Sequence, residues 1–248
     1  MELSGDRVSR ELLGDAFDAL RRARAVGPLR REMGKFARRM GFERFAFSLR
    51  VTAPSLPPSH FAVTNYPAAW GERYLARGYF KVDPVAVHCE CSALSAVWYE
   101  QASHGSRTGP FWEEAGAFGL RSGLSLRVHA GAGAVGVFSL SRDQRLDLCG
   151  EDLAALIGRA HVFAGCVQHC LSRLGPLVAM PWPANPLTLR ERECLKWTVD
   201  GKTAWEIGHI LGIAERTANF HIYNAMRKLE ATNKTQAAVR ALELELLH

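Results

Sequence analysis

Residues 187–248 constrain the fold of this chain more than any other part, because both ends of several short helices are marked there. A Thr followed three residues later by Glu, the spacing of a capping box, occurs twice, at Thr188 with Glu191 and at Thr203 with Glu206. Glycines follow the apolar positions of both segments, where helices commonly end, at Gly201 and Gly212. The pattern predicts two short helices and a tight turn into a third.

The third predicted helix, AERTANFHIYNAMRKLE, separates into two faces at about 100° per residue. Within roughly 60° of one another lie the apolar residues Ala218, Ile222, Ala225 and Leu229. The other side, over roughly 100°, carries Arg216, Asn219, Phe220, Tyr223 and Arg227. Arg can bond guanine and Asn can bond adenine, while Tyr, Lys and Arg can reach phosphates. The helix order predicts a helix-turn-helix that binds DNA, and a solvated polar face is the alternative.

With 248 residues the chain has room for one large and one small domain. The stretch GPLVAMPWPANP, at 175–186, has one glycine and four prolines that prevent regular structure. We therefore predict a domain at 1–174, a linker at 175–186 and a DNA-binding domain at 187–248. The net charge of +6 is no evidence for DNA binding, because residues 1–40 carry ten Lys/Arg against six Asp/Glu and residues 186–248 carry nine against eight.

The sequence also predicts the cellular location of the protein. No stretch approaches the about 18 to 20 uncharged apolar residues of a membrane span, and the start has no apolar signal-peptide core. We expect a cytoplasmic protein without membrane association. The six cysteines lack the paired spacing of a zinc site. Buried thiols explain Cys166 and Cys170 in an apolar helical stretch, and neither a metal site nor a disulfide is predicted.

Residues 1–174 alternate between helical and strand-like patterns. Helical patterns at about 9–25 and 28–40 precede strand-like FERFAFSLRV and HFAVTNY and a helix near Pro67–Gly78. Helical FWEEAGAFGL then precedes strand-like GLSLRVHA and AVGVFSLSR and a helix at about 150–174. Strands flanked by helices at both ends predict an α/β class, with an α/β/α sandwich as the first domain and a small all-α helix-turn-helix domain as the second.

Aromatic and acidic residues between 66 and 98 form a second candidate site. Tyr66, Trp70 and Tyr74 recur every four residues, so one helix would project all three to one side, and Asp83 and Trp98 follow. An indole only donates hydrogen bonds, a carboxylate only accepts them and a phenol does either. Such a set suits a small ligand with a carbonyl and an N–H. An aromatic stripe at helical spacing is more often core than pocket, so the residues alone leave both interpretations open.

The C-terminal segment resembles the DNA-binding domain of LuxR-type regulators. The matching residues are Leu189, Glu193, Leu195, Gly201, Lys202, Thr203, Glu206, Ile207, Ile213, Thr217, His221, Lys228 and Leu229. The resemblance implies phosphate contacts at Lys202, Thr203 and Lys234 and base contacts at Asn219 and Tyr223. The full predicted DNA-contact set adds Arg216, Thr217 and Arg227. In the family the last helix forms a dimer contact, and Glu243 and Leu244 stand here around the place where many members have glycine.

The first domain also resembles a known one. NYPAAWGERYLARGYFKVDP, VW at 97–98 and FWEEAGAFGLRSGLSLRV are similar to the autoinducer-binding domain of LuxR-type quorum-sensing receptors, particularly the branch of LasR and QscR. The resemblance implies an acyl-homoserine lactone ligand. It implies that Trp70 donates to the lactone carbonyl, that Asp83 accepts the amide N–H, and that Tyr66 and Ser139 donate to the acyl carbonyl. Tyr74 and Trp98 match the aromatic walls. Gly71 and Ser103, where relatives carry larger side chains, imply a roomier site.

Together the resemblances imply a transcriptional regulator of quorum sensing that is not an enzyme and needs no cofactor. It would bind inverted-repeat operator DNA as a homodimer and contact RNA polymerase. An orphan receptor that binds DNA without ligand, or with another small-molecule signal, is the alternative. A phosphorylated receiver domain is not indicated, because no acidic pair, phosphoacceptor Asp and later Lys precede residue 130. A lactone hydrolase is not indicated either, since neither GxSxG nor an HxHxDH-like cluster occurs.

Overall fold

The structure is a computed structural model that describes residues 14, 16–51, 60–99, 108–129, 134–174 and 187–247. The chain divides into two compact units, one with a β-sheet and one with the last four helices. The predicted linker at 175–186 and Ser103 lie outside the described residues. None of the described helices is long and apolar enough to cross a membrane.

The first unit is built from a five-stranded sheet and helices. Its helices are α1 (described over 16–22), α2 (Val26–Arg39), α3 (Ala68–Ala76), α4 (Pro84–Cys91), α5 (Gly109–Ala117) and α6 (Gly150–Leu174), with a 3-10 helix at Tyr79–Lys81. Its strands are β1 (Arg44–Val51), β2 (His60–Thr64), β3 (Ala96–Tyr99), β4 (Ser122–Val128) and β5 (Ala134–Arg142). The strand order is β2-β1-β5-β4-β3. β4 runs antiparallel to both β3 and β5.

One face of β4 and β5 is apolar and is covered by α2 and α6. Its cross-strand pairs are Leu124 with Leu140 and Leu126 with Phe138. The Phe138 ring centroid lies 6.5 Å from that of Phe36 on α2 and 5.9 Å from that of Phe163 on α6. Phe36 and Phe163 stack on each other at 3.8 Å. All of these side chains are buried, so this layer is the main apolar core of the unit.

The opposite face of the same strands carries small residues, because successive side chains of a strand point to opposite faces. Ser125 pairs there with Ser139, and Gly123 pairs with Ser141. Aromatic side chains from α3, α5 and β3 lie over these small residues. Helices therefore cover both faces of the sheet, and the predicted α/β/α sandwich is confirmed.

Three elements of the first unit were not predicted from the sequence, and one of them is the 3-10 helix at Tyr79–Lys81. The edge strand β3 has only four residues, of which two are exposed and two are half-buried. Helix α4 buries a single residue, Cys89, and so has no apolar stripe that a periodicity argument could detect. The other strands and α6 lie where their patterns placed them.

The second unit consists of α7 (Leu189–Val199), α8 (Ala204–Leu211), α9 (Glu215–Lys228) and α10 (Lys234–Glu243). Both predicted capping boxes are present, at Thr188 with Glu191 and at Thr203 with Glu206. Gly201 and Gly212 have φ of 80° and 67°, a left-handed conformation that glycine adopts without strain. The predicted helix-turn-helix order is confirmed.

Candidate ligand site and nucleic-acid interface

An aromatic cluster lies against the serine-bearing face of the sheet. Its buried members are Trp70, Tyr79, Phe111, Trp112, Ala115 and Leu120, and its partly buried members are Tyr66, Tyr74, Val85, Trp98 and Phe118. The Trp70 ring centroid lies 5.8 Å from that of Tyr74 and 5.9 Å from that of Phe111. Four of the predicted ligand-site residues, Tyr66, Trp70, Tyr74 and Trp98, are thus brought into one place.

The predicted route by which Tyr66 joins this cluster is wrong. Helix α3 begins at Ala68 with Pro67 as its N-cap, so Tyr66 precedes the helix instead of projecting from it. Tyr66 is held by the sheet, because the Ser141 hydroxyl donates to the Tyr66 phenol oxygen at 3.2 Å. Burial raises the pKa of Tyr66 to about 12. The phenol therefore keeps its proton and can serve as a hydrogen-bond donor.

Asp83 performs a structural task within the site. Its Oδ1 accepts hydrogen bonds from the backbone N–H groups of Val85 at 2.8 Å and Ala86 at 3.3 Å, which caps α4. Its Oδ2 accepts from the Tyr74 hydroxyl at 2.9 Å. Burial raises the pKa of Asp83, although these three hydrogen bonds act in the opposite direction. A carboxylate has about four acceptor positions, so capacity remains for another donor.

A chain of hydrogen bonds joins the sheet to the aromatic cluster. The Trp98 indole N–H donates to Ser125 Oγ at 3.0 Å, and the Ser125 hydroxyl donates to Ser139 Oγ at 2.8 Å. Gly123 makes room for the Trp98 ring: a Cβ at this position would lie 2.5 Å from Trp98 Cζ2. The predicted site residue Ser139 is therefore connected to Trp98 through Ser125.

Sequence reasoning missed several members of this site: Tyr79, Phe111, Trp112, Phe118, Ser125 and Ser141. One signal was available for the serines. In GLSLRV and FSLSR, Ser alternates with Leu or Phe, and alternation in a strand places the two kinds of residue on opposite faces. No comparable local signal marks the aromatic residues, which meet only when α3 and α5 pack together.

Helix α9 has the two faces that its sequence predicted. Ala218, Ile222, Ala225 and Leu229 are buried, while all five polar or aromatic residues of the other face are exposed. Phe220 and Tyr223 are each 59% exposed, which is high for aromatic side chains. Together with the exposed side chains of Arg216, Thr217, Asn219 and Arg227, they form a surface that can enter a DNA groove.

The turn between α8 and α9 is closely packed. A Cβ on Gly208 would lie 2.8 Å from the Ile213 carbonyl oxygen and 3.2 Å from the Glu215 nitrogen, so glycine lets α8 approach the turn. Ile207, Ala218 and Ile222 form one core cluster with Cys194. This packing fixes the orientation of α9 with respect to α8.

The predicted phosphate contacts stand at helix starts. Lys202 precedes Thr203, the N-cap of α8, and Lys234 is the first residue of α10. The positive end of the helix dipole and the free N–H groups there suit phosphate oxygens. The Thr203 hydroxyl is already engaged, because it donates to Glu206 Oε2 at 2.8 Å and accepts from the Glu206 N–H at 3.3 Å.

Lys228 matched the family pattern but does not point toward the DNA-facing surface. Its ammonium group donates to Glu191 Oε2 at 2.7 Å, and the Glu191 side chain is 5% exposed. Burial by itself would raise the pKa of Glu191, but hydrogen bonds from Lys228 and Thr188 outweigh it, and the net effect is a lowered pKa. This ion pair joins α7 to α9.

Replacing Lys228 with Met is expected to destabilise the chain by about 1.5–3 kcal/mol, because the Glu191 carboxylate would lose a charged hydrogen-bond partner. Because the pKa of Glu191 is lowered in the folded state, its ionised carboxylate stabilises the fold at pH values above the ordinary pKa of 4.5. This stabilisation is lost as the pH falls through the folded-state pKa. The Lys228→Met penalty should therefore shrink in acid. Thermal melts from neutral to acidic pH, with Lys196→Met on the exposed face of α7 as control, would measure it. Equal melting temperatures for both variants would contradict the assignment.

Metal-ligating residues do not cluster in the described part of the chain: no group of three His, Cys, Asp or Glu side chains there is placed to hold a metal ion. Cys170 is buried, whereas Cys166 is only partly buried. Burial raises the pKa of both thiols.

An α/β/α domain with an aromatic cluster, followed by a helix-turn-helix domain, defines a class of proteins, the transcriptional regulators with a sensory domain. Comparison with known proteins identifies the family. The family described as "Autoinducer binding domain" matches residues 27–171, and "Bacterial regulatory proteins, luxR family" matches residues 185–241.

Individual relatives agree. The transcriptional activator protein SolR of Ralstonia nicotianae is 35% identical over 94% of this chain and 98% of its own length. The HTH-type quorum-sensing regulator RhlR of Pseudomonas aeruginosa is 35% identical over 89% of this chain and 92% of its own length. The crystal structure of Escherichia coli SdiA has a TM-score of 0.82 at 28% identity and covers 99% of this chain and 100% of its own. A structure of SdiA in complex with octanoyl-rac-glycerol has a TM-score of 0.81 at 28% identity. The match covers 100% of this chain and 98% of the SdiA chain.

The chain belongs to the LuxR family of bacterial regulatory proteins. It is a quorum-sensing transcriptional regulator with an autoinducer-binding domain for a small molecule and a helix-turn-helix domain for DNA. The family consists of transcriptional regulators and not of enzymes. The family prediction made from the sequence is confirmed.

Proposed function

We propose that the small molecule is an acyl-homoserine lactone and that the protein binds inverted-repeat operator DNA as a homodimer. The observation that carries the ligand proposal is the gathering of a partly buried carboxylate, an indole and a phenol, those of Asp83, Trp70 and Tyr66, around one aromatic cluster. A molecule with an amide N–H, two carbonyl groups and an apolar chain complements this set.

The proposed contacts follow from the donors and acceptors. The Trp70 indole donates to the lactone carbonyl, and Tyr66 with Ser139 donates to the acyl carbonyl. Asp83 accepts the amide N–H at Oδ2, because this oxygen accepts one hydrogen bond within the protein whereas Oδ1 accepts two. A fatty acid without the amide would leave this position unpaired, which is costly in a buried site.

The aromatic walls, including Tyr74 and Trp98, enclose the apolar part of the ligand. Each buried CH₂ contributes about 0.8 kcal/mol, so affinity should rise with acyl length until the site is full. A Cβ on Gly71 would meet no atom within 4 Å, which supports the prediction of a roomier site. No cofactor is part of the proposal.

A single recognition helix buries too little surface for operator affinity, so we propose that two subunits read the two halves of an inverted repeat. Lys202, Thr203 and Lys234 would contact phosphates, and the α9 set of Arg216, Thr217, Asn219, Tyr223 and Arg227 would contact bases and backbone. Exposed Val239 and Leu242 on α10 support a dimer contact there. We propose further that the regulator acts in the cytoplasm, contacts RNA polymerase and has domain boundaries at 1–174, 175–186 and 187–248.

A second candidate is a receptor for a different small molecule, or one that binds DNA without a ligand. The SdiA structure in complex with octanoyl-rac-glycerol supports this second candidate, because that molecule has an ester and hydroxyl groups but no amide N–H. The two candidates differ in the donor that Asp83 would accept, which is the amide N–H of a lactone ligand or a hydroxyl group of a ligand such as octanoyl-rac-glycerol.

Operator binding by the purified full-length protein distinguishes the candidates. A binding site is first selected from random duplex DNA, and affinity is then measured with acyl-homoserine lactones of increasing length, with octanoyl-rac-glycerol and without ligand. We expect tighter DNA binding and a higher melting temperature with a lactone, since a ligand at a hundredfold excess over Kd stabilises the folded state by about 2.7 kcal/mol. Full affinity without ligand would instead identify an orphan receptor, and a footprint on one asymmetric half-site would exclude the dimer.

Two substitutions test the proposed DNA contacts. Asn219→Ala is expected to weaken binding by about 1–3 kcal/mol and to relax selectivity at one base pair per half-site. Lys234→Ala should weaken binding to all sequences alike and reduce its salt dependence, because a phosphate contact carries no sequence information. Binding to the selected site and to single-base variants at several salt concentrations checks both. If Asn219→Ala weakened binding to all sequences alike and Lys234→Ala relaxed selectivity at one base pair, the assignment of the base contact and the phosphate contact would be reversed.

A further inference from the structure

The indole N–H of Trp112 has no hydrogen-bond partner among the described residues. Trp112 lies on α5 and is 5% exposed, so bulk water does not reach this donor. Buried donors in folded proteins are nearly always paired, and an unpaired one calls for an explanation. The neighbouring indole shows the contrast, since the Trp98 N–H donates to Ser125 Oγ at 3.0 Å.

Trp112 belongs to the same aromatic cluster as the proposed lactone donor. Its ring centroid lies 5.4 Å from that of Trp98 and 5.1 Å from that of Phe111. Phe111 in turn lies 5.9 Å from Trp70. Trp112 and Trp70, to which the proposed function assigns the lactone carbonyl, therefore both lie against the Phe111 ring.

We infer that Trp112 is a specificity-determining residue whose indole N–H donates to an oxygen of the ligand's lactone ring. The inference rests on the proposed function. A lactone ring has two oxygens, and Trp70 supplies one donor, so a second donor in the same aromatic cluster gives the ring a second partner. A ligand head group without oxygen would leave the Trp112 N–H unpaired and would bind less tightly.

Trp112→Phe keeps an aromatic ring and removes the N–H. The test compares dose responses in a reporter strain for an acyl-homoserine lactone and for the N-acyl cyclopentylamine of the same chain, which keeps the amide and lacks both ring oxygens. We expect Trp112→Phe to weaken the response to the lactone about 3–10-fold, as loss of one neutral hydrogen bond does, and to change the response to the cyclopentylamine less than about twofold.

Trp98→Phe is the matched control, because the Trp98 N–H is paired within the protein. It should affect both ligands alike. If Trp112→Phe weakened the responses to both ligands equally, Trp112 would contribute only packing, and the inference would be overturned. It would also be overturned if neither response were weakened. A wild-type protein that responds to neither ligand would mark the failure of the proposed function itself.

If Trp112→Phe fails to fold, β-(3-benzothienyl)alanine at position 112 keeps the two-ring shape and replaces the N–H with sulfur. Its purified full-length form should melt at or above the wild-type temperature without ligand, since it removes an unpaired buried donor. Its loss of affinity should again be confined to the lactone. Unchanged lactone affinity in this variant would also overturn the inference.

Discussion

Alanine at Gly123 is expected to abolish the response to ligand and to destabilise the first domain by about 3 kcal/mol or more. The Cβ would lie 2.3 Å from the Leu140 carbonyl oxygen and 2.5 Å from Trp98 Cζ2. The first of these atoms belongs to the backbone of the paired strand and cannot move without breaking the register of β4 with β5. The second is part of a ring held by its hydrogen bond to Ser125, so the side chain most able to move is also part of the candidate site.

Gly71→Ala is the matched control for this substitution. Its Cβ would meet no atom within 4 Å, and the residue lies within α3, where alanine is favoured over glycine by about 0.5–1 kcal/mol. We expect the control to melt slightly higher than the wild type and Gly123→Ala to melt well below it. Thermal melts and reporter dose responses measure both effects. A Gly123→Ala protein with normal stability and ligand response would mean that the sheet and Trp98 are not as tightly packed as described.

Asp83→Asn is expected to weaken ligand binding by about 10–150-fold while leaving the fold intact. Asparagine is a good N-cap, and its oxygen can accept the hydrogen bonds of the Val85 and Ala86 N–H groups. It carries no charge and has one oxygen instead of two, so it loses the acceptor proposed for the ligand amide. Titration of the purified variant with a lactone, followed by a thermal melt without ligand, separates binding from folding.

The raised pKa of Asp83 gives this prediction a pH dependence. A carboxyl group whose folded pKa is raised contributes stability below its ordinary value of 3.8, and this contribution is lost as the pH rises through the folded value. Asp83→Asn cannot ionise, so its stability relative to the wild type should increase across that interval. Asp143→Asn, at a largely exposed carboxylate paired with Arg121, serves as the control. A variant that binds lactone as the wild type does would refute the role of Asp83.

The second domain could be predicted in detail because its signals are local. Thr188 and Thr203 each lie three residues from the Glu that completes the capping box, and Gly212 ends α8 where the chain needs a left-handed residue. The faces of α9 follow from its own periodicity. The pairing of Lys228 with Glu191 was not predictable in the same way, since these residues are 37 apart in the sequence.

The candidate ligand site was only partly predictable because its members come from distant segments. Ser141 and Tyr66 are 75 residues apart, and no short pattern in the sequence links them. The spacing of four residues between Tyr66, Trp70 and Tyr74 predicts that all three lie on one helix face. The helix begins only at Ala68, after Pro67, so Tyr66 lies outside it. Trp112 lies in FWEEAGAFGL, a segment that the sequence predicts as a helix and that carries part of the family resemblance, but nothing in it marks the indole as a site residue. Its unpaired N–H is visible only when the neighbours from α3, β3 and the sheet are in place.

The alternation of side chains along β4 and β5 has a consequence for how such a receptor can acquire a new signal. Ser125, Ser139 and Ser141 lie on the side of the candidate ligand site, whereas Leu124, Leu126 and Phe138 lie in the apolar core on the other side. Exchanges among small side chains at the three serines can reshape chemical preference while the core stays as it is. Selection for new signals at these positions leaves the apolar core unchanged, but a side chain at position 125 must still accept the hydrogen bond of the Trp98 N–H. A library of small side chains confined to residues 125, 139 and 141 would therefore sample changes in ligand preference while keeping the apolar core.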